Sequence, residues 1–301
     1  MAQSPPLLVS ATLFAIMFAL GVGLPLDGLS RWQQHRGLLL RGLVGTCLLV
    51  PVAAALLLLL PPTMALSQPA RFSIALMAVC PSAPLLMRKA GKQGGDRILA
   101  ALLQVAAALA AIITIPLLAS GFTRIFGVEG WQVQSHHVAA QVALVQLLPL
   151  LLGFLFRRFA PKWASRMENP LDRVANGLLL LLVLVVLWKT APLLVTYVGA
   201  NLIALPVMAA LVLISLALGY GLTNRDPCLG VTLALVTSMR NPGLALLLAS
   251  IHAPELPAVK LGIIIYLIIT ILLSIPFLRW QASLRALLAG LLLAGLVCTL
   301  R

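Results

Sequence analysis

Long apolar runs separated by short polar loops dominate the pattern of the 301-residue chain. A bilayer core is about 30 Å thick, so a helix needs about 20 mostly apolar residues to cross it. The pattern therefore predicts an all-α polytopic membrane protein with nine to ten transmembrane helices, forming one transmembrane domain over residues 1–301. The runs lie near 7–26, 37–60, 72–90, 97–120, 137–157, 173–190, 199–222, 227–250 and 258–278, and a shorter tenth run lies at 284–300.

Two of these runs contain residues that break helices. The third run contains CPSAP, in which Pro81 and Pro84 each remove a backbone donor and clash with the preceding turn. The eighth run contains RNPG, in which Pro242 and Gly243 have the same effect. Irregular backbone at membrane depth is tolerated only where it faces protein or a wet cavity. Interrupted helices at corresponding places in two halves of a chain indicate the midplane site of a secondary transporter.

The composition agrees with residence in a lipid bilayer, since 61% of the residues are hydrophobic and 9% are charged. A soluble domain is about 45–50% apolar and about one quarter charged. The net charge of +14 is also found in nucleic-acid binders, but here the basic residues lie in short loops, so no nucleic-acid partner is expected. Four cysteines without metal-ligand spacing favour small buried side chains over a metal site. They are Cys47, Cys80, Cys228 and Cys298.

The distribution of lysine and arginine predicts the orientation, because cytoplasmic loops carry the excess of these residues. The loops after odd-numbered runs, with their flanks, contain Arg31, Arg36, Arg41, Arg88, Lys89, Lys92, Arg97, Arg157, Arg158, Lys162, Arg166, Arg173, Arg225, Arg279 and Arg285. The opposite loops contain only Arg71, Arg124, Lys189 and Lys260. This excess predicts an N-terminus outside and basic loops in the cytoplasm. The expected location is the bacterial inner (plasma) membrane.

Arg240 is a basic residue inside an apolar run. Every acidic residue lies in a loop or at a predicted helix end, so the membrane interior would contain one permanent positive charge and no carboxylate. An arginine at the bilayer centre is costly. Arg240 lies near the middle of the run between Pro227 and Ser250, so its side chain cannot easily reach an interface. We therefore expect a functional role for it.

Four segments resemble, in order, the bile acid:sodium symporter family over roughly residues 10–280. They are FALGVGLPLDGL, LLVPVAAALLLLL, ALMAVCPSAPLLMRKAGKQGGD and SMRNPGLALLLASI. The resemblance implies a secondary transporter built from two inverted repeats, in which two broken helices cross in a core domain beside a panel domain. The implied ranges are a core at about 37–120 and 199–280, a panel at about 7–26 and 137–190, and an extra C-terminal helix at 284–300.

Members of this family typically couple the uptake of organic anions to two sodium ions, which implies a set of ligand positions in this chain. Four of these positions hold apolar residues that offer no side-chain oxygen to a hard cation. They are Leu86, Met87, Ala100 and Val236. Four others are Thr46, Gln104, Arg240 and Asn241, of which Asn241 alone is retained.

These replacements make sodium coupling doubtful and give no confident metal or cofactor site. We expect the guanidinium of Arg240 to take the place of a sodium ion, as a surrogate cation. Its five donors would be satisfied by backbone carbonyls of the two breaks together with Thr46, Gln104 and Asn241. Arg240 alternatively contacts the substrate itself, because a guanidinium binds carboxylates bidentately.

The expected substrate is a small organic anion, because helix N-termini at the breaks offer free N–H groups and positive potential. The candidate substrate-binding residues are Ser82, Ala83, Pro84, Asn241, Pro242 and Gly243. Gln141 and Gln146 are candidates on the panel side, although their spacing sets them about 140° apart on a helix.

Three other functions compete with this one. An arsenite- or auxin-carrier-like permease has the same type of fold, and a membrane sensor or scaffold would have the fold without transport. An intramembrane enzyme needs paired aspartates, a His-Glu-x-x-His zinc site or a Ser–His dyad within the membrane. The sequence contains none of these in an apolar run, so no enzymatic activity is expected. The oligomeric state stays open.

Overall fold

The computed structural model describes residues 7–26, 32–84, 86–126, 139–140, 142–223 and 226–299. Helices dominate these ranges, and five helical stretches are long and apolar enough to cross a bilayer, as in an integral membrane protein. The stretches are Gln33–Leu58, Arg97–Phe126, Pro161–Ala200, Ala204–Gly221 and Pro257–Leu287. The helices are α1 Leu7–Val22, α2 Trp32–Val44, α3 Val50–Leu58, α4 Gln68–Val79, α5 Leu86–Lys92, α6 Arg97–Phe126, α7 Leu148–Phe159, α8 Pro161–Thr190, α9 Leu194–Ala200, α10 Ala204–Gly221, α11 Pro227–Ser238, α12 Pro242–His252 and α13 Pro257–Thr299.

Both predicted interruptions are present. Helix α4 ends at Val79, the backbone becomes extended at Cys80, and helix α5 begins at Leu86. Helix α11 ends at Ser238 and α12 begins at Pro242, whose missing N–H is tolerated in a first helical turn. In the second break, the proline that predicted the interruption is therefore also the first residue of the next helix.

Two π-helical turns, Gly45–Leu49 and Ala143–Leu147, precede α3 and α7. Each is followed by a proline, Pro51 in the first case and Pro149 in the second. A proline ring clashes with the carbonyl four residues earlier, which lies inside the π-helical turn in both cases. The wider turn relieves this clash, and such turns often occur at functional sites.

The last helix corrects the expectation of separate helices at 258–278 and 284–300. Helix α13 continues without a break through Arg279 and Arg285 as far as Thr299. Its 43 residues extend about 65 Å, roughly twice the thickness of a bilayer core. The charges end the apolar run but not the helix, because arginine is a good helix former and no proline or glycine intervenes. Within the described residues, the segment 284–299 is therefore a continuation of α13.

Helix α1 packs against α7 and α8, and its closest approach to α7 is at two glycines. A Cβ atom added to Gly21 would lie 2.8 Å from the nitrogen of Phe154, and one added to Gly153 would lie 2.9 Å from the nitrogen of Val22. Both distances are shorter than real contacts, so the two backbones meet directly. Small residues allow such close packing between membrane helices.

Ion pairs join α5, α6 and α7 to α8 at one end of the molecule. Glu168 lies 3.0 Å from Arg88 Nη2 and 3.6 Å from Arg157, and it accepts a hydrogen bond from Arg97 at 2.6 Å. One turn further along α8, Asp172 forms a second pair with Arg88. These four pairs lie at the end that carries the predicted cytoplasmic loops.

Candidate functional site

The two interrupted helices meet through their extended segments, which run antiparallel. The N–H of Ala83 donates to the carbonyl of Met239 at 2.8 Å, and the N–H of Asn241 donates to the carbonyl of Pro81 at 2.9 Å. These bonds satisfy backbone groups that the broken helices leave without partners, as a membrane interior requires. We call this pair of segments, 80–84 and 239–241, the crossing.

The side chain of Arg240 is enclosed beside the crossing, and the residue is 2% exposed. Its Nη1 donates to Thr46 Oγ1 at 2.6 Å, and its Nη2 donates to the carbonyls of Thr46 at 2.9 Å and Ala78 at 3.0 Å. Ala78 lies in the last turn of α4, where carbonyls have no partner within the helix and the helix dipole is negative. No carboxylate among the described residues forms an ion pair with this guanidinium.

Of the three side chains expected around the guanidinium, Thr46 lies within hydrogen-bond distance of it, whereas Gln104 and Asn241 bond to other groups. Gln104 instead donates from Nε2 to two carbonyls of the first break and so fixes its unwound backbone. These are Ala83 O at 2.6 Å and Pro84 O at 2.8 Å. The Oδ1 of Asn241 accepts a backbone N–H in the first turn of α12 at 3.1 Å, which caps that helix.

Apolar residues fill the positions at which the resemblance implies sodium ligands. All four are buried members of one hydrophobic cluster, which also contains residues of α1 and α7. They are Leu86, Met87, Ala100 and Val236. Sodium requires oxygen ligands, and no side chain of this set provides one. The residues present therefore do not fit a sodium ion at these positions.

Four polar atoms around the crossing are buried without a hydrogen-bond partner. They are Ser82 Oγ, Gln104 Oε1, Arg240 Nε and Asn241 Nδ2. A buried polar atom without a partner costs about 1–3 kcal/mol, so several in one place require an explanation. A polar ligand held between the breaks would supply their partners.

Of the two panel candidates, Gln146 lies in the π-helical turn Ala143–Leu147 and is completely buried. Both atoms of its amide group lack a hydrogen-bond partner. The turn packs against α1 and α6. Gln141 lies outside the described residues.

The remaining candidates belong to the backbone of the two breaks. Ala83 and Pro84 contribute carbonyls to Gln104, whereas Pro242 and Gly243 form the first turn of α12. A Cβ atom added to Gly243 would lie 2.9 Å from Cδ2 of Leu13 on α1. Helix α1 therefore packs directly against the first turn of α12.

Two residues close to Arg240 were not predicted from the sequence. Ala78 acts through its carbonyl, and a backbone oxygen leaves no signal in the residue type. Tyr266 on α13 is completely buried, it interacts electrostatically with Arg240, and its hydroxyl has no hydrogen-bond partner. A tyrosine in the middle of the apolar run IIIYLII was the available signal for it.

Comparison with known proteins gave one informative result. No functionally curated protein matches the chain significantly. The model of the Sodium Bile acid symporter family matches residues 10–197. That range is more than half of the chain and includes the first break, whereas Arg240 lies beyond it. Members of this family are transporters rather than enzymes. The chain therefore belongs to the Sodium Bile acid symporter family and is a transporter of that type.

Proposed function

We propose that the protein transports small organic anions by alternating access, with Arg240 as a fixed cation in place of bound sodium. The observation that carries the proposal is the guanidinium, which is buried beside the crossing and bonded to Thr46 and Ala78. A guanidinium keeps its charge at any physiological pH. The protein thus provides by itself the positive charge that a metal ion would otherwise bring to this position.

The charge balance around Arg240 favours an anionic substrate. The three acceptors of the guanidinium are a hydroxyl and two carbonyls, which carry partial charges only. None of the five acidic residues of the described chain lies at Arg240: Glu168 and Asp172 form ion pairs, Asp96 and Asp226 cap α6 and α11, and Glu255 is exposed in a loop. An uncompensated positive charge at membrane depth attracts a negative group.

The polar atoms without partners indicate where that group binds. Ser82 Oγ, Arg240 Nε and Asn241 Nδ2 carry N–H or O–H groups, which donate to the oxygens of a carboxylate or sulfate. The first turn of α12 adds the backbone N–H of Gly243, which the cap formed by Asn241 does not use, and the positive end of the helix dipole. The proposed anion therefore sits against Ser82, Asn241 and the start of α12, with Arg240 beside it.

Helix packing supports a division into two moving bodies. Helix α1 packs on α7 and α8, which together correspond to the panel of the resemblance. The broken helices pack with α10 and α13, which correspond to the core. Each half of the core contains one broken helix, as an inverted repeat requires. We propose that the core moves against the panel while the crossing holds the anion, with the basic loops in the cytoplasm of a bacterial cell.

Uptake into proteoliposomes tests the proposal. Purified protein is reconstituted, and the uptake of radiolabelled organic anions is compared in sodium and choline buffers of equal ionic strength. We expect saturable uptake of the same rate in both buffers, because four of the implied sodium-ligand positions hold apolar residues and Arg240 occupies a fifth. Strict dependence on sodium would contradict the fixed-cation proposal. Saturable binding without any uptake would instead favour a sensor.

A further inference from the structure

A cavity of about 490 Å³ lies between α5 and α8, next to the ion pairs that join these helices. We infer that this cavity binds the phosphate group of an anionic lipid. Its volume is within the range of about 300–1,000 Å³ that is usual for small-molecule sites. The lining residues are Arg88, Lys89, Lys92, Gln93, Asn169, Asp172, Arg173 and Asn176.

The lining carries positive charge that the protein does not neutralise. Arg88 is already paired with Asp172, the one acidic residue of the lining. The three other basic residues form no ion pair with any residue that the structure describes. They are Lys89, Lys92 and Arg173. A ligand with at least one negative charge is therefore needed to balance the cavity.

The donors around the cavity suit phosphate oxygens. The guanidinium of Arg173 is a planar fork that binds two oxygens at once, whereas Lys89 and Lys92 act as point charges. Asn169 uses its Oδ1 to accept from Arg88 at 3.0 Å, which leaves its amide nitrogen as a further donor. Asn169 and Arg173 are four positions apart, and Asn176 follows three positions later, so all three lie on one face of α8.

The sequence of α8 sets the depth of the cavity in the membrane. The charged first part of the helix ends at Arg173, and residues 177–188 read GLLLLLVLVVLW without a charge. The hydrocarbon core begins where charges end, so Arg173 lies in the headgroup layer. On the opposite wall, Lys92 is the last residue of α5, beside the polar turn into α6. Lipid phosphates are concentrated at this depth, which favours a lipid over a soluble phosphate.

A lipid bound here contacts α5 and α8 together. Basic pockets between membrane helices on the cytoplasmic side are known recognition sites for anionic headgroups, and each lysine or arginine strengthens binding about fivefold. Removing two of the three unpaired charges is therefore expected to weaken binding about 30-fold. The lipid also adds contacts across a seam that otherwise depends on the ion pairs of Arg88 and Arg97 with α8.

Native mass spectrometry of the full-length protein in mild detergent tests the inference. The protein is incubated with phosphatidylglycerol or with phosphatidylcholine, and the retained lipids are counted. The test variant is Lys92→Gln with Arg173→Gln, because both side chains are exposed and their loss should not impair folding. The matched control is Lys162→Gln with Arg166→Gln, which removes two exposed charges near the same end of α8 but outside the cavity. A parallel thermal-shift series uses inorganic phosphate.

We expect the wild-type protein and the control variant to retain phosphatidylglycerol, and the test variant to lose it. Phosphatidylcholine should be retained by none of them, because its headgroup has no net charge. Equal retention of phosphatidylglycerol by the wild type and the test variant would overturn the inference. Stabilisation by inorganic phosphate without any retained phosphatidylglycerol would overturn it as well, since the bound group would then be a soluble anion. None of these readouts depends on transport.

Discussion

The guanidinium of Arg240 differs from a bound metal ion in that its charge cannot dissociate. Thr46 and Ala78 hold it from two different helices, so its position is fixed together with the packing of those helices. A surface arginine would gain little from such bonds, but a buried one depends on them because water is excluded. The positive potential beside the crossing is therefore independent of any ion gradient.

Arg240→Gln should reduce both anion affinity and stability. The glutamine removes the charge and leaves the carbonyls of Thr46 and Ala78 without a donor. Each buried carbonyl without a partner lowers the free energy of unfolding by about 1–3 kcal/mol. We expect anion binding to weaken about tenfold or more, because a hydrogen bond to a charged group is worth about 1.5–3 kcal/mol. Isothermal titration with the transported anion and the thermal unfolding midpoint measure the two effects.

Arg240→Lys is the matched control for this prediction. Its ammonium keeps the charge but has a single nitrogen, which cannot reproduce the fork between Thr46 and Ala78. We expect stability to fall as in Arg240→Gln while much of the anion affinity remains. If both variants lose anion affinity equally, the role of Arg240 is packing rather than charge.

Individual residues could be predicted where a side chain makes the contact, but not where a backbone atom does. Arg240 was a candidate because a charge in an apolar run is unusual, and Thr46 because the resemblance implies a ligand at its position. The partners of Gln104 were not predictable, because its bonds go to carbonyls that become free only when the helix unwinds. The same holds for the carbonyl of Ala78.

At the scale of elements, proline chemistry predicted the breaks but not the π-helical turns. Pro81 and Pro242 lie where extended backbone replaces a helix, whereas Pro51 and Pro149 follow wide turns within continuous helices. The residue type is the same in both situations, and tertiary contacts decide between them. The length of α13 was not predicted, for a different reason. The apolar run ends at Arg279, but no residue at that point stops a helix.

Helix packing also gives a prediction at this scale, at the contact of α1 and α7. Gly153→Leu places a side chain against the backbone of α1, where even a Cβ atom has no room. We expect a loss of about 1–3 kcal/mol, since overpacking forces the two helices apart. The thermal unfolding midpoint of the purified protein should fall accordingly.

Gly177→Leu provides the comparison for this prediction. Gly177 lies on an exposed face of α8, and a Cβ atom there would meet nothing within 4 Å. The same substitution should therefore leave the midpoint unchanged or raise it slightly, because leucine is the better helix former. Equal losses in both variants would mean that the α1–α7 contact is not tight.

Over the whole molecule, the ion pairs and the crossing belong to the same proposed motion. The crossing lies within the proposed core, whereas three of the four ion pairs join that core to the proposed panel. Glu168 forms two of these three pairs, with Arg88 and Arg97, and it also pairs with Arg157 within the panel. Opening the molecule at this end requires that the three pairs separate, so they favour the arrangement in which core and panel stay together there.

Glu168→Gln should therefore increase access from this end to the crossing. Partly exposed ion pairs are worth about 0.2–1 kcal/mol each, so the loss of the two that join core and panel shifts the opening equilibrium about 2- to 30-fold. Cys80 reports on access, since it is completely buried at the crossing. With Cys47, Cys228 and Cys298 replaced by alanine, the rate at which a water-soluble thiol reagent modifies Cys80 should rise by that factor.

Glu255→Gln separates this effect from a change of net charge. Glu255 is exposed in the loop between α12 and α13 and forms no ion pair with a described residue. The thiol reagent should therefore modify Cys80 in this variant at the wild-type rate. If Glu168→Gln also reacts at the wild-type rate, the ion pairs do not control opening. A faster reaction of Glu168→Gln alone would mean that charge pairing at the basic end determines how often the anion site meets water.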